Sequence, residues 1–137
     1  MKKWIIFLLL FFAFSSSIQA DTESPNAKGL QKEILHDALI HELLPSISQV
    51  LDKQFGVGHG LGIQCQKILE IKRLEQGQFY FEVTLEAMTF KGAHNPPNDI
   101  VTVKISNYPT GNWVIKEYSI NEDKPANYVC GNPDYRR

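Results

Sequence analysis

Phe79-Tyr80-Phe81-Glu82-Val83-Thr84-Leu85-Glu86-Ala87-Met88 decides the fold: Phe79, Phe81, Val83, Leu85 and Ala87 alternate with Tyr80, Glu82, Thr84, Glu86 and Met88. Successive side chains of an extended chain point to opposite faces, so this period of two predicts a strand with one buried face and one wet face. Downstream, Val101, Val103 and Ile105 alternate with Thr102, Lys104 and Ser106 in the same way. Ile63 to Leu74 and Trp113 to Ile120 are rich in strand-forming residues but alternate less cleanly. Glu75-Gln76-Gly77-Gln78 and Tyr108-Pro109-Thr110-Gly111-Asn112 are turn sequences between them. The connection from Lys91 to Asp99 is longer and holds Pro96-Pro97, which excludes it from a central strand.

Upstream of the strands the period changes. Leu30, Ile34, Ala38, Leu43, Ile47, Val50 and Leu51 recur mainly at intervals of three and four, with Gln31, Lys32, Glu33, Asp37, Glu42 and Gln49 between them. That is the apolar stripe of an amphipathic helix. Pro45 removes a backbone donor and crowds the preceding turn, which predicts a kink or a break into two helices near Leu44. One helix followed by four strands with short links predicts an α+β fold, a kinked N-terminal helix packed on a four-stranded antiparallel meander. In outline this is similar to cystatin-like folds, a likeness of architecture that carries no function.

The first twenty residues follow another logic. Met1-Lys2-Lys3 is followed by an uncharged run from Trp4 to Ala20, densely apolar as far as Phe14 and ending in Ser15-Ser16-Ser17-Ile18-Gln19-Ala20. A positive start, a short apolar middle and a small-residue exit are the parts of a secretory signal peptide, with cleavage expected after Ala20. The apolar run would span about 16 Å as a helix, short of the roughly 30 Å of a bilayer core. The expectation is therefore a secreted or extracytoplasmic protein with no stable membrane anchor after cleavage. The domain layout reads as signal peptide 1–20, polar leader 21–29, one α+β domain 30–121 and a C-terminal tail 122–137.

The whole chain has 137 residues, 43% hydrophobic, with 14 basic and 15 acidic residues. Two of the lysines, Lys2 and Lys3, lie in the expected signal peptide, so the remainder is more acidic than the formal net charge of −1. A basic excess, the usual footprint of a nucleic-acid binder, is missing, and no nucleic-acid partner is expected.

Chemistry-bearing motifs are scarce. Cys65 and Cys130, an even pair in an exported chain, can form one disulfide tying the first strand to the tail, or remain two unrelated thiols. Gly56-Val57-Gly58-His59-Gly60-Leu61-Gly62 mimics a phosphate loop, but Leu61 and Ile63 stand where a third glycine is required. It also follows a helix and enters a strand, the reverse of the order that aims a helix N-terminus at phosphate, so it reads as a flexible connection. Of the histidines His36, His41, His59 and His94, the first two are five apart and lie on different sides of a helix. Asp37 and His41 share a face and read as a hydrated pair; no metal site and no cofactor are expected. No nucleophile elbow is present, and Glu82 and Glu86 on one strand face read first as solvation.

The connection Thr89-Phe90-Lys91-Gly92-Ala93-His94-Asn95-Pro96-Pro97-Asn98-Asp99 stands apart, because it has more residues than a hairpin needs. His94 and Asn95 can both donate and accept hydrogen bonds, and histidine changes charge near neutral pH. Pro96 and Pro97 would hold the segment extended. Phe90, His94, Asn95, Pro96 and Pro97 are the candidate binding residues, on a stiff polar loop at the sheet end; the alternative is a loop that merely covers that end.

Three stretches carry a resemblance: Lys67-Ile68-Leu69-Glu70-Ile71-Lys72-Arg73-Leu74, then Phe79 to Thr84, then Thr89 to Pro97 with its G-A-H-N-P-P string. Together they resemble a family of small exported proteins, mostly from spore-forming Gram-positive bacteria, known as a domain of unknown function. The likeness spans Leu30 to Ile120. It implies export and the helix-plus-sheet layout, and no activity. Cys130 falls outside it.

The leading expectation is an exported, non-enzymatic binding or interaction module, its partner a protein or small ligand of the cell envelope or medium. The alternatives are a small extracytoplasmic enzyme with a pocket between helix and sheet, using His94 with Glu82 or Glu86, and a peptidase inhibitor presenting the loop.

Overall fold

The computed structural model describes residues 25–122, 125 and 127–130. The expected signal peptide and cleavage point, and the end of the tail from 131 onward, lie outside them. The elements are α1 (Pro25–Phe55), β1 (Leu61–Arg73), β2 (Phe81–Lys91), β3 (Ile100–Ser106) and β4 (Val114–Asn121). The strands form one antiparallel sheet in the order β1-β2-β3-β4. This is the α+β arrangement the two periodicities predict, one helix on a four-stranded meander. Among the described residues, no helix is long and apolar enough to cross a membrane.

α1 begins at Pro25, inside the stretch read as a polar leader, so residues 25–29 are helical. It runs through Pro45 as one helix of 31 residues rather than breaking in two. An interior proline costs about 3 kcal/mol. Leu43 and Ile47, which flank Pro45, are both fully buried, and two such side chains contribute comparable stabilisation, about 1.5–3 kcal/mol each. Packing therefore holds the helix across the missing hydrogen bond.

The stripe of α1 is used unevenly. Leu43, Ile47, Val50 and Leu51 are buried against Val83, Leu85 and Ala87 of β2 and Val101, Val103 and Ile105 of β3. Leu30, Ile34 and Leu35 remain 57%, 58% and 64% exposed. A helix of this length spans about 46 Å, and its packing against the core begins at Leu39.

β2 buries Val83, Leu85 and Ala87 as its alternation predicts, whereas Phe79 is exposed, because the strand starts only at Phe81. The edge strands alternate less cleanly for a physical reason: each contains β-bulges. In β1 the register slips between Gln64 and Lys67 and again between Ile68 and Glu70. In β4 Lys104 pairs with Glu117 and Ile105 with Ile115, leaving Lys116 as the extra residue. An extra residue inverts the in-out phase beyond it. Trp113 and Ile115, then Tyr118 and Ile120, pack on the core in consequence.

The links are fixed structures. Gly56, at φ +85°, donates its N–H to the Asp52 carbonyl and caps α1. His59 then accepts the Leu61 N–H on Nδ1 (2.8 Å) and turns Nε2 toward Asp52 (3.5 Å), so the glycine-rich connection is held rather than loose. At the other end of the sheet, the Asn107 side chain accepts the Phe81 N–H (2.7 Å) and donates to the Phe79 carbonyl (2.8 Å), joining both turns.

Candidate functional site

The connection between β2 and β3 begins and ends on one buried threonine. Thr89 is fully buried and Asp99 nearly so. The Thr89 N–H donates to the Asp99 carbonyl (2.9 Å), the Asp99 N–H donates to Thr89 Oγ1 (3.0 Å), and the Thr89 hydroxyl donates to the Pro97 carbonyl (3.1 Å). Thr89 thus satisfies three polar groups at the loop's base, and those of buried Asp99 would be costly to leave unpaired.

Above that base the segment is a tight tip, not one extended strap. Lys91 and Asn95 exchange two backbone hydrogen bonds, 2.8 and 2.9 Å long, around Gly92-Ala93-His94. The chain then bends at Pro96, and the Pro96–Pro97 peptide bond is cis. Two residues of the tip have positive φ, Gly92 at 56° and His94 at 63°. Glycine takes that conformation freely; a residue with a Cβ pays roughly 1–2 kcal/mol for it.

Side-chain contacts repay His94 for its backbone. Its ring lies against the Phe90 ring, centroids 4.5 Å apart and planes 32° apart. Its Nδ1 sits 2.7 Å from Oε1 of Gln64 on β1. A carboxamide oxygen only accepts, so Nδ1 carries the proton in this pair. The Phe90 ring in turn covers Gly62 of β1 so closely that a Cβ there would run into it, a pairing that lets an aromatic side chain shield a bare stretch of strand. Residues 91–97 are all exposed. Phe90 and His94 are brought together by this arrangement; Asn95 acts through its backbone, and Pro96 and Pro97 form the return. Gln64, Gly62 and Thr89 hold the tip, and nothing in the sequence pattern marks them, because their partners are remote in the chain.

Beside this site the sheet's outer face carries a second structure. Cys65, at the first bulge of β1 with φ 57°, is joined by a disulfide to Cys130, Cα to Cα 4.7 Å. The bond brings the tail back to the sheet. The Lys67 ammonium lies 4.5 Å from the Tyr128 ring centroid and 2.7 Å from Glu86 Oε1. Burial, then the charge of Glu86, pushes the Tyr128 phenol above its ordinary range.

His94, Glu82 and Glu86, the set named for an enzyme, each have other neighbours. Glu86 is committed to Lys67 and Glu82 stands opposite Lys72 and Ser106, while His94 is held by Gln64 and Phe90. A concave groove does exist between helix and sheet, with a volume of about 480 Å³, but its walls are Gln49, Val50 and Lys53 of α1 and Trp113, Val114, Ile115, Lys116 and Tyr118 at β4. Asp37 approaches His36 at 3.6 Å rather than pairing with His41. Among the described residues, no three His, Cys, Asp or Glu side chains gather as a metal site.

A family model described as "Protein of unknown function (DUF3888)" matches residues 35–121. The match takes in most of α1, all four strands and the loop, and stops short of Cys130. No curated protein and no solved structure matches the chain.

Proposed function

The chain belongs to the DUF3888 family of proteins of unknown function, and from that footing we propose that it is an exported, non-enzymatic binding module whose contact surface is the tip 90–97. The observation that carries this reading is the cost of the tip: His94 occupies a backbone conformation suited to glycine while its ring is clamped by Phe90 and Gln64 on exposed surface. Such outliers gather where a side chain must be presented in one orientation. A rigid, exposed tip loses little entropy on binding.

Export rests on the leader 1–20, and origin in a spore-forming Gram-positive bacterium on the Thr89 to Pro97 segment. The Cys65–Cys130 disulfide supports the same compartment, since such bonds persist outside the reducing cytoplasm. The partner is a protein or small ligand of the cell envelope or medium. N-terminal sequencing of the exported protein is expected to begin at Asp21; material beginning at Met1 would reject cleavage.

A photo-reactive residue at Asn95 is expected to capture envelope or medium components that the same residue at exposed Leu30 does not, and His94→Ala is expected to abolish that capture. Equal capture from both positions, or capture indifferent to His94→Ala, rejects the tip as the contact.

A further inference from the structure

We propose that the groove between the second half of α1 and β4 is a binding site for a small organic anion with a planar, apolar body. The site is separate from the tip and does not depend on its role.

Among the described residues β4 is an edge of the sheet, and α1 packs on the sheet next to that edge. Its floor is Trp113, Ile115 and Tyr118, its helical wall Gln49 and Lys53. About 480 Å³ is the size of an ordinary small-molecule pocket. The decisive feature is Lys116. Strict alternation along β4 would send it to the outer face of the sheet, opposite to Ile115. It is the bulged residue, unpaired in the β3–β4 ladder, and it lines the groove together with Val114 and Ile115. Bulges often re-aim one side chain in this manner near functional sites.

Lys116 thereby joins Lys53 as a second lysine in the lining of the cavity. The Lys53 ammonium is 5.2 Å from the Tyr118 ring centroid, which keeps it over the aromatic floor. Among the described residues, no carboxylate lines the groove. Two lysines in the lining of one cavity have an anion as their shared complement. The flat Trp113 and Tyr118 surfaces beneath them suit an aromatic or otherwise planar body, and the Gln49 carboxamide adds a donor to orient the acidic group. A carboxylate, sulfonate or phosphate on such a body satisfies all three features.

The probe is 8-anilinonaphthalene-1-sulfonate, compared with N-phenyl-1-naphthylamine, which has the same ring system without the sulfonate. The sulfonate is expected to bind the intact protein with shifts of the Trp113 indole N–H and the Gln49 carboxamide in a ¹⁵N spectrum. The double variant Lys53→Gln, Lys116→Gln should weaken it by about tenfold or more, the loss expected for charge-assisted contacts, with an unchanged melting temperature because neither ammonium is part of the core. The neutral compound should bind much more weakly and ignore the lysine variants. His94→Ala should leave the binding unaltered, which separates this site from the tip. Equal affinity for the neutral compound, indifference to the double variant, or shifts confined to the exposed Leu30, Ile34 and Leu35 surface would each overturn the assignment.

Discussion

The two faces of the sheet come from the same strands and are held by opposite means. Toward α1, Val83, Leu85, Ala87, Val101, Val103 and Ile105 form a dry layer under Leu43, Ile47, Val50 and Leu51. Away from it, Lys67 pairs with Glu86 and Lys104 with Glu117, and a disulfide holds the tail in place. The inner face needs only apolar volume in the right phase, which many residues supply jointly. The outer face depends on a few specific partners, so its stability is concentrated in single bonds. The tip belongs to the outer system: His94 is held by Gln64, whose cross-strand partner is Met88 of β2.

The contrast can be broken most forcefully from the inside. Leu43→Ala should cost about 2–5 kcal/mol in denaturant unfolding, from lost burial plus the cavity left behind. Leu30→Ala, on the same helical stripe but exposed, should stay within about 0.5 kcal/mol. Similar losses at both positions would mean that the first half of α1 is packed after all.

Removing the disulfide by Cys65→Ser and Cys130→Ser should cost about 2–4 kcal/mol on the chain-entropy account. The released tail should also return the Tyr128 phenol toward its ordinary range, read by ultraviolet titration. With the tail in place, folded and unfolded chains both keep that proton below about pH 10. Above it the unfolded phenol ionises first, so stability should fall as pH rises further. Tyr128→Phe should remove that slope and leave neutral-pH stability close to wild type.

At the base of the tip, Thr89→Val should cost about 1–3 kcal/mol, because the Asp99 N–H and the Pro97 carbonyl lose their partner. Faster exchange of the Asp99 amide, with the Val101 and Val103 amides unchanged, would place the damage in the loop alone. The smallest effect belongs to Glu117→Gln. Glu117 raises the Lys104 pKa through a hydrogen bond and its charge, but the pair lies in solvent, and the unfolding midpoint should not move. A measurable shift would show that charges on the outer face act as a network.

Legibility in the sequence followed the same division. The phase of β2 and β3 could be read from Val83 to Ala87 and Val101 to Ile105, because a half-buried central strand must alternate. The bulges could be seen only as imperfect alternation from Ile63 to Leu74 and from Trp113 to Ile120; the second irregularity was the signal for the bulge at Lys116. The loop from 89 to 99 stood out by length, and Phe90 and His94 do meet there. Its expected extended form was wrong, since local composition does not record the Lys91–Asn95 pairing.

By itself, the sequence determined the class of elements, their order and the meander, because hydrophobic period and turn residues act over a few neighbouring positions. Tertiary structure alone decided the rest. It kept α1 intact through Pro45, left Leu30 and Ile34 in water, paired His94 with Gln64 thirty residues away and set Lys116 and Lys53 in the lining of one groove. Each of these is settled by which remote groups pack together, a choice that no run of adjacent residues encodes.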